Sequence, residues 1–383
     1  MKEKDIMLIS GYPYLTESTF SALNNIFEDR VYIYDPLDYN LSRAFTNYPY
    51  PENFLNSRIE CSYKPIWSKY IKIPWLISIF ISAHKWSRAI INDINKLNPK
   101  VIILITDIFP SSKIIDENYF NAKQYLLQPC LIDAWERKDK NKNKRKILNK
   151  LLNLNFFHSQ QYWGLEGKNN KLCLYDHEIN DFFQNKRNNI ELIKSPMKSF
   201  FKSRVFNRRI FKKGGEKLRI GIFPVNYSSV HGEEYQKTFE NKYKILCNLF
   251  SCEDVFVKIH PHDDVSYWKK ILPNNIKILK DGHKEDLYLY TDVHISTYSY
   301  SSIESFYGGS YAINFQPERI KIKGDLENIF FNNCSLYSED IETIVQEVNI
   351  YKDMNQHQKK DFVVKKIDYN GIDSTQSLME VLN

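Results

Sequence analysis

Residues 254–315 read DVFVKIHPHDDVSYWKKILPNNIKILKDGHKEDLYLYTDVHISTYSYSSIESFYGGSYAINF. DVFVKIHP (254–261) reads as a strand and IKIL (276–279) as a short one. KEDLYLYT (284–291) reads as a helix, and DVHIST (292–297) as a strand. YSSIESFYGG (300–309) opens a helix and stops it with two glycines, and SYAINF (310–315) is a further strand. Short apolar runs alternating with helical segments predict parallel strands covered on both faces, which is the doubly wound α/β pattern.

Working outward, LRIGIFPV (218–225) and TFENKYKILCNLF (238–250) add a strand and a helix before this stretch. The same rhythm occupies the N-terminal half. DIMLIS (5–10), RVYIYDP (30–36) and KVIILIT (100–106) read as strands. TFSALNNIF (19–27) and SIFISAHKWSRAIINDINKL (78–97) have helical spacing, the second ending at Asn98-Pro99. QYLLQPCLID (124–133) reads as a strand broken at Pro129. Residues 185–217 interrupt the rhythm: they are basic, contain Pro196 and end in Gly214-Gly215. The organisation expected is a Rossmann-like domain over 1–184, a basic linker over 185–217 and a second Rossmann-like domain over 218–383. Apolar residues make up 43 % of the 383, enough for each half to bury its own core.

The formal charge of +7 is uneven. Residues 137–150 carry +7 and residues 194–217 carry +8, which leaves −8 for the rest. Basic runs on an otherwise acidic chain point to an anionic partner, a membrane surface included; the alternative is a solvated helix face and a solvated linker. The apolar run Ile73–Ala83 is flanked by Lys69, Lys72, Lys85 and Arg88, with Trp75 and Trp86 in or beside it. It is too short to span a bilayer, so it reads as a buried helix or an interfacial one. The six cysteines show no paired or zinc spacing and no signal peptide is evident, so a reduced, cytoplasmic location is expected, peripheral at the inner membrane face if the basic runs bind lipid.

Ligands of open α/β sheets bind beyond the carboxyl ends of the strands. Two polar clusters stand at such ends. One is Lys258, His260, Pro261 and His262; the other is Ser296, Thr297, Ser299, Ser301, Ser302 and Glu304. Hydroxyls and unpaired N–H groups at a helix start suit a phosphate, and an imidazole and an ammonium suit its charge. Taken singly, each cluster also reads as a turn or an ordinary N-cap. There is no Walker loop, no Gly-x-Gly-x-x-Gly, no His-Glu-x-x-His, no Gly-x-Ser-x-Gly and no Asp-x-Asp. His158 and His177 read as structural.

The stretch Phe256–Phe315 resembles the donor-binding half of bacterial sialyltransferases and of related capsule and teichoic-acid transferases. The shared features are Lys258-x-His260-Pro261 at a strand end, a short helix before YTDVHIST, and Ser301-Ser302 with Glu304 after them. The resemblance implies a GT-B fold, two Rossmann-like domains facing a cleft, with acceptor bound by the first and donor by the second. The implied donor is a CMP-linked sialic acid, other nonulosonic acid or Kdo, used in capsule, lipooligosaccharide or O-antigen synthesis. The alternative is CDP-glycerol or CDP-ribitol in polyol-phosphate transfer. His260 and Pro261 would hold the donor phosphate, His260 aiding departure of the nucleotide, with Lys258, Ser299, Ser301, Ser302 and Glu304 completing the donor site. No metal or other cofactor is implied. The chain departs from the sialyltransferases in lacking an acidic pair followed by Gly. Asp133 is the first candidate for the general base, with Asp107, Glu233 and Glu234 as alternatives. A nucleic-acid binder is the non-enzyme rival, since Phe200, Phe201, Phe206 and Phe211 interleave with Lys and Arg; it leaves both strand-end clusters unexplained, so no nucleic-acid partner is expected.

Overall fold

The structure is a computed structural model that describes residues 5–11, 13–37, 52–64, 75–105, 110–118, 121–128, 169–175, 181, 183–184, 186–193, 195–224, 233–260, 263–282, 284–297, 299–316, 334–370 and 380. These fall into two compact units, and the chain passes from the first to the second between Pro196 and Met197.

The first unit is built on a parallel sheet of seven strands: β1 (Ile6–Ile9), β2 (Val31–Asp35), β3 (Arg58–Glu60), β4 (Val101–Leu104), β5 (Lys123–Leu127), β6 (Lys171–Leu174) and β7 (Ile190–Leu192). Their order is β3-β2-β1-β4-β5-β6-β7. Every residue of β1, β2 and β4 is buried, which is why these strands appear in the sequence as unbroken apolar runs. The helices are α1 (Pro13–Phe27), α2 (Glu52–Asn56), α3 (Trp75–Leu97) and α4 (Pro110–Asn118). Helix α3 ends as expected: Asn98 takes a left-handed φ of 46° and Pro99 cannot continue the helix. Trp86 is not an interfacial anchor. It is fully buried, and its indole N–H donates to Pro36 O at 2.5 Å. Among the described residues, no helix is long and apolar enough to cross a membrane.

The second unit has six parallel strands: β8 (Arg219–Phe223), β9 (Asp254–Lys258), β10 (Lys277–Leu279), β11 (Val293–Ser296), β12 (Tyr311–Phe315) and β13 (Leu336–Ser338), in the order β10-β9-β8-β11-β12-β13. Both sheets start in the middle, wind outward to one edge, return to the centre and wind to the other edge, the Rossmann order. The helices of this unit are α5 (Pro196–Arg204, entering it at Met197), α6 (Glu233–Leu249), α7 (Val265–Ile271), α8 (Lys284–Tyr290), α9 (Tyr300–Tyr307), α10 (Ile341–Asp353) and α11 (Gln356–Asn370).

Residues 185–217, expected as a basic linker, are built into the units. They supply β7 to the first sheet, then α5 and a 3-10 turn at Phe206–Arg208. The physical reason lies beneath the charge: Phe200, Phe201, Val205 and Phe211 are buried, and Phe201 meets Tyr288 edge-on at 5.5 Å. Three of the four phenylalanines that would have stacked on bases are therefore interior, which removes the platform a single-strand binder needs. Arg209 is buried too. It donates to Gly308 O and Thr291 O at 2.8 Å each, to Ser310 Oγ at 3.0 Å and to Tyr288 O. Lys359, also buried, donates to Lys212 O, Lys213 O and Lys352 O. The exposed charge of the run is thus smaller than its sequence count, although Lys202, Arg204, Arg208, Lys213 and Lys217 remain exposed. The other basic run, 137–150, lies outside the described residues.

Gly221 sits mid-strand in β8, where a Cβ would lie 2.7 Å from the rings of both Phe223 and Phe256. Phe223 in turn stacks on His294, so this glycine lets an aromatic layer close over β11. Gly221→Ala is expected to cost about 1–3 kcal/mol by overpacking, read from urea unfolding; a change under about 0.5 kcal/mol, the range of neutral surface substitutions, would show that the layer yields freely.

Candidate functional site

The strand order of the second sheet reverses between β8 and β11, which pair in register with Phe223 opposite Ser296. Ser296 also faces Asn314 of β12. Side chains paired in register share a face, so Phe223, Ser296 and Asn314 form one row at the carboxyl ends of the central strands. This is the switch point where an open α/β sheet takes a ligand.

Helix α9 starts four residues beyond Ser296. Ser299 is its N-cap, with φ −115° and ψ 135°, and its Oγ accepts from Ser301 N at 3.3 Å. Ser299 Oγ and Ser301 Oγ are 2.8 Å apart, and Ser301 Oγ is 3.3 Å from His294 Nε2. Ser299 and Ser301 are half-buried, whereas Ser302 is fully buried and its hydroxyl donates back to Ser299 O at 2.7 Å. Glu304 is buried and accepts from the Tyr288 hydroxyl at 2.7 Å. Of the serines and the acid expected together, the structure brings Ser299 and Ser301 to the half-exposed helix start and turns Ser302 and Glu304 into the interior.

The other cluster lies at the end of β9. Lys258 is opposite Leu279, and its ammonium donates to Lys280 O at 2.6 Å and Ile259 O at 3.0 Å. Those carbonyls face its charge. His260 is exposed, and its carbonyl accepts from Asp263 N at 2.9 Å in the turn that follows. Pro261, His262, Asp107 and Asp133, and the side chains of Glu233 and Glu234, lie outside the described residues. Among the described residues, no group of three or more His, Cys, Asp or Glu is arranged to hold a metal ion.

Three buried polar groups stand behind the helix start: Ser296 and Thr297 of the second cluster, and His294, which the motif reading leaves out. Thr297 Oγ1 lies 2.8 Å from the hydroxyl of Tyr243, whose phenol burial pushes well above its ordinary range. Ser296 Oγ is fully buried with no hydrogen-bond partner among the described residues. His294, in β11, is also fully buried, and burial pushes its pKa down to about 3. Their signal is present in DVHIST: His294 and Ser296 alternate with Val293 and Ile295, so one face of a central strand is polar.

No family model and no curated protein sequence matches the chain. Solved structures do match it in fold. A variant of the wall teichoic acid polymerase TagF soaked with CDPG superposes with a TM-score of 0.53 at 10 % identity, covering 100 % of this chain and 87 % of that one. A putative UDP-N-acetylglucosamine 2-epimerase from Listeria monocytogenes gives 0.53 at 10 % identity, covering 98 % and 99 %. The glycotransferase of kitacinnamycin gives 0.50 at 9 % identity, covering 97 % and 96 %. With two parallel sheets of Rossmann order, these likenesses place the chain in the two-domain GT-B fold.

Proposed function

We propose that the chain is a glycosyltransferase that uses a cytidine-nucleotide donor and binds the donor phosphate at the start of α9. The observation that carries this reading is the half-exposed Ser299–Ser301 hydroxyl pair at that helix start, directly beyond the switch-point strand β11. An anion there meets first-turn N–H groups and the positive end of the helix dipole. As the acceptor hydroxyl attacks the donor sugar, the bond to the nucleotide breaks and negative charge grows on the leaving phosphate. Donors fixed in advance stabilise that charge more than the ground state. His260, at the next strand end but one, is assigned to the same phosphate, and Asp133 to the proton of the acceptor hydroxyl. A metal is assigned no role. The exposed lysines and arginines of 194–217, with those of 137–150, are assigned to an anionic, membrane-linked acceptor.

The fold match to TagF soaked with CDPG favours one second reading, transfer of a polyol phosphate from a CDP-linked donor. A panel of CMP, CDP, UDP and GDP in thermal unfolding tests the nucleotide. A ligand at 100 times its dissociation constant adds about 2.7 kcal/mol, so a cytidine nucleotide is expected to raise Tm where UDP and GDP do not. Product analysis then separates sugar transfer, polyol-phosphate transfer and acceptor-independent epimerisation of a nucleotide sugar. Ser301→Ala is expected to weaken nucleotide binding by roughly 1.5–3 kcal/mol, the worth of a hydrogen bond to a charged group. Ser302→Ala is expected to change nucleotide affinity little, because its hydroxyl is spent on Ser299 O. A loss confined to acceptor affinity in Ser301→Ala would remove the phosphate assignment.

A further inference from the structure

Behind the Ser301 hydroxyl stands the imidazole of His294, which nothing in the proposed transfer yet uses. The ring is sandwiched rather than solvated: it stacks on Phe223 at 3.8 Å and 23°, and Tyr288 meets it at 5.9 Å and 69°. Its Nε2 is 3.3 Å from Ser301 Oγ, while Nδ1 finds no hydrogen-bond partner among the described residues. The Glu304 carboxylate of α9 is engaged by the Tyr288 hydroxyl.

A neutral imidazole carries one N–H, and the two tautomers act oppositely on Ser301. With the proton on Nδ1, a buried N–H would be left unpaired, and Nε2 would accept the Ser301 proton. Ser301 would then face an incoming anion with lone pairs. With the proton on Nε2, the imidazole donates to Ser301 Oγ and only an acceptor lone pair is left unpaired at Nδ1. A buried unpaired donor is the rarer and costlier defect. Ser301 Oγ, already supplied with a proton from behind, then has its own hydroxyl proton to give.

We propose that His294 is a positioning residue: as the Nε2–H tautomer it donates to Ser301 Oγ and so turns the Ser301 hydroxyl proton towards a bound phosphate. This rests on Ser301 binding the donor phosphate. The bond is at the long end of the N–H···O range, and engagement of the Ser301 proton by an anion polarises and tightens it. Burial keeps the ring neutral, so the device does not switch off in mild acid.

The test uses the full chain with its nine histidines labelled with nitrogen-15 in the ring, and CDP as probe against cytidine as a phosphate-free control. His294 is expected to show a protonated Nε2 and a bare Nδ1, unchanged over about pH 5 to 8. CDP is expected to shift its Nε2 resonance in the wild type and not in Ser301→Ala. His294→Gln, which keeps an N–H near the Nε2 position, is expected to hold CDP affinity within about threefold, while His294→Leu loses about tenfold. Cytidine affinity is expected to be the same in all. A protonated Nδ1, or equal CDP losses in the Gln and Leu variants, would overturn the proposal while leaving Ser301 in place. Unchanged CDP affinity in Ser301→Ala would overturn the phosphate reading itself, and this proposal with it.

Discussion

Arg209→Met is expected to destabilise the second unit by about 3 kcal/mol or more, a loss large enough to have a named cause. The guanidinium is buried with no carboxylate among its hydrogen-bond partners in the described residues; its acceptors are Tyr288 O, Thr291 O, Gly308 O and Ser310 Oγ. Tyr288 and Thr291 stand at the end of α8 and Gly308 at the end of α9, where helical carbonyls lack partners and the dipole is negative. Burial, against the opposing pull of Tyr351 and Asp292, pushes the guanidinium pKa down to about 10, and it stays charged at neutral pH. Methionine fills the volume but takes the guanidinium donor away from Tyr288 O and Gly308 O, at about 1–3 kcal/mol each before relaxation, while Thr291 O keeps the Ser310 hydroxyl at 2.9 Å. Arg209→Lys is expected to recover little, because one ammonium cannot reach acceptors in three directions. Gly309 reinforces the fit: its φ is 84°, and a Cβ there would lie 2.6 Å from the Phe206 ring and 3.0 Å from Arg209 Nε. Guanidinium-chloride unfolding followed by tryptophan fluorescence measures the effect. A loss below about 1 kcal/mol, the centre of the distribution for ordinary substitutions, would mean that water replaces the arginine at no cost.

Arg209 also marks where the sequence misleads. Nine basic residues in 194–217 read as a solvated linker, and the phenylalanines among them read as an interleaved surface. The contact of Phe201 with Tyr288 and the carbonyl cage around Arg209 depend on α8 and α9, which come about 80 to 100 residues later (82 from Arg209 to Thr291, 99 to Gly308). Local pattern carries no trace of partners so distant. The opposite holds for β1, β2, β4 and β8, whose largely buried residues form nearly continuous apolar runs; β11 and β12 are as buried but carry His294, Ser296 and Asn314. Strands β3, β7 and β13 are three residues long and largely half-exposed or exposed, so they leave no run to find. In the site, the Ser299 cap follows from a serine before an apolar helix. The inward turn of Ser302 and Glu304, and the bond of Lys258 to the Lys280 carbonyl just beyond β10, follow from neighbours fixed only in three dimensions.

His260→Ala is expected to lower kcat by about 10²–10⁴-fold, the usual worth of a positioned acid–base group, while leaving the fold intact. The turn that presents His260 is held by its backbone and by Asp263. Asp263 N donates to His260 O at 2.9 Å, and the Asp263 carboxylate accepts from the Trp268 indole at 3.3 Å, tying the turn to the buried Trp268 of α7. The imidazole itself projects from an exposed position at the end of β9, the strand beside β8 and so one strand from the switch point. From there its contribution is to the charge that develops on the departing phosphate, so the loss should fall on kcat and kcat/KM together, with nucleotide affinity changed much less. Thermal unfolding of the variant should match the wild type within about 0.5 kcal/mol, the range of exposed substitutions. Turnover within a few-fold of the wild type would remove His260 from the chemistry. A loss of nucleotide binding as large as the loss of rate would instead make it a ground-state ligand of the phosphate, and Ser299 and Ser301 would then carry the transition-state charge without it.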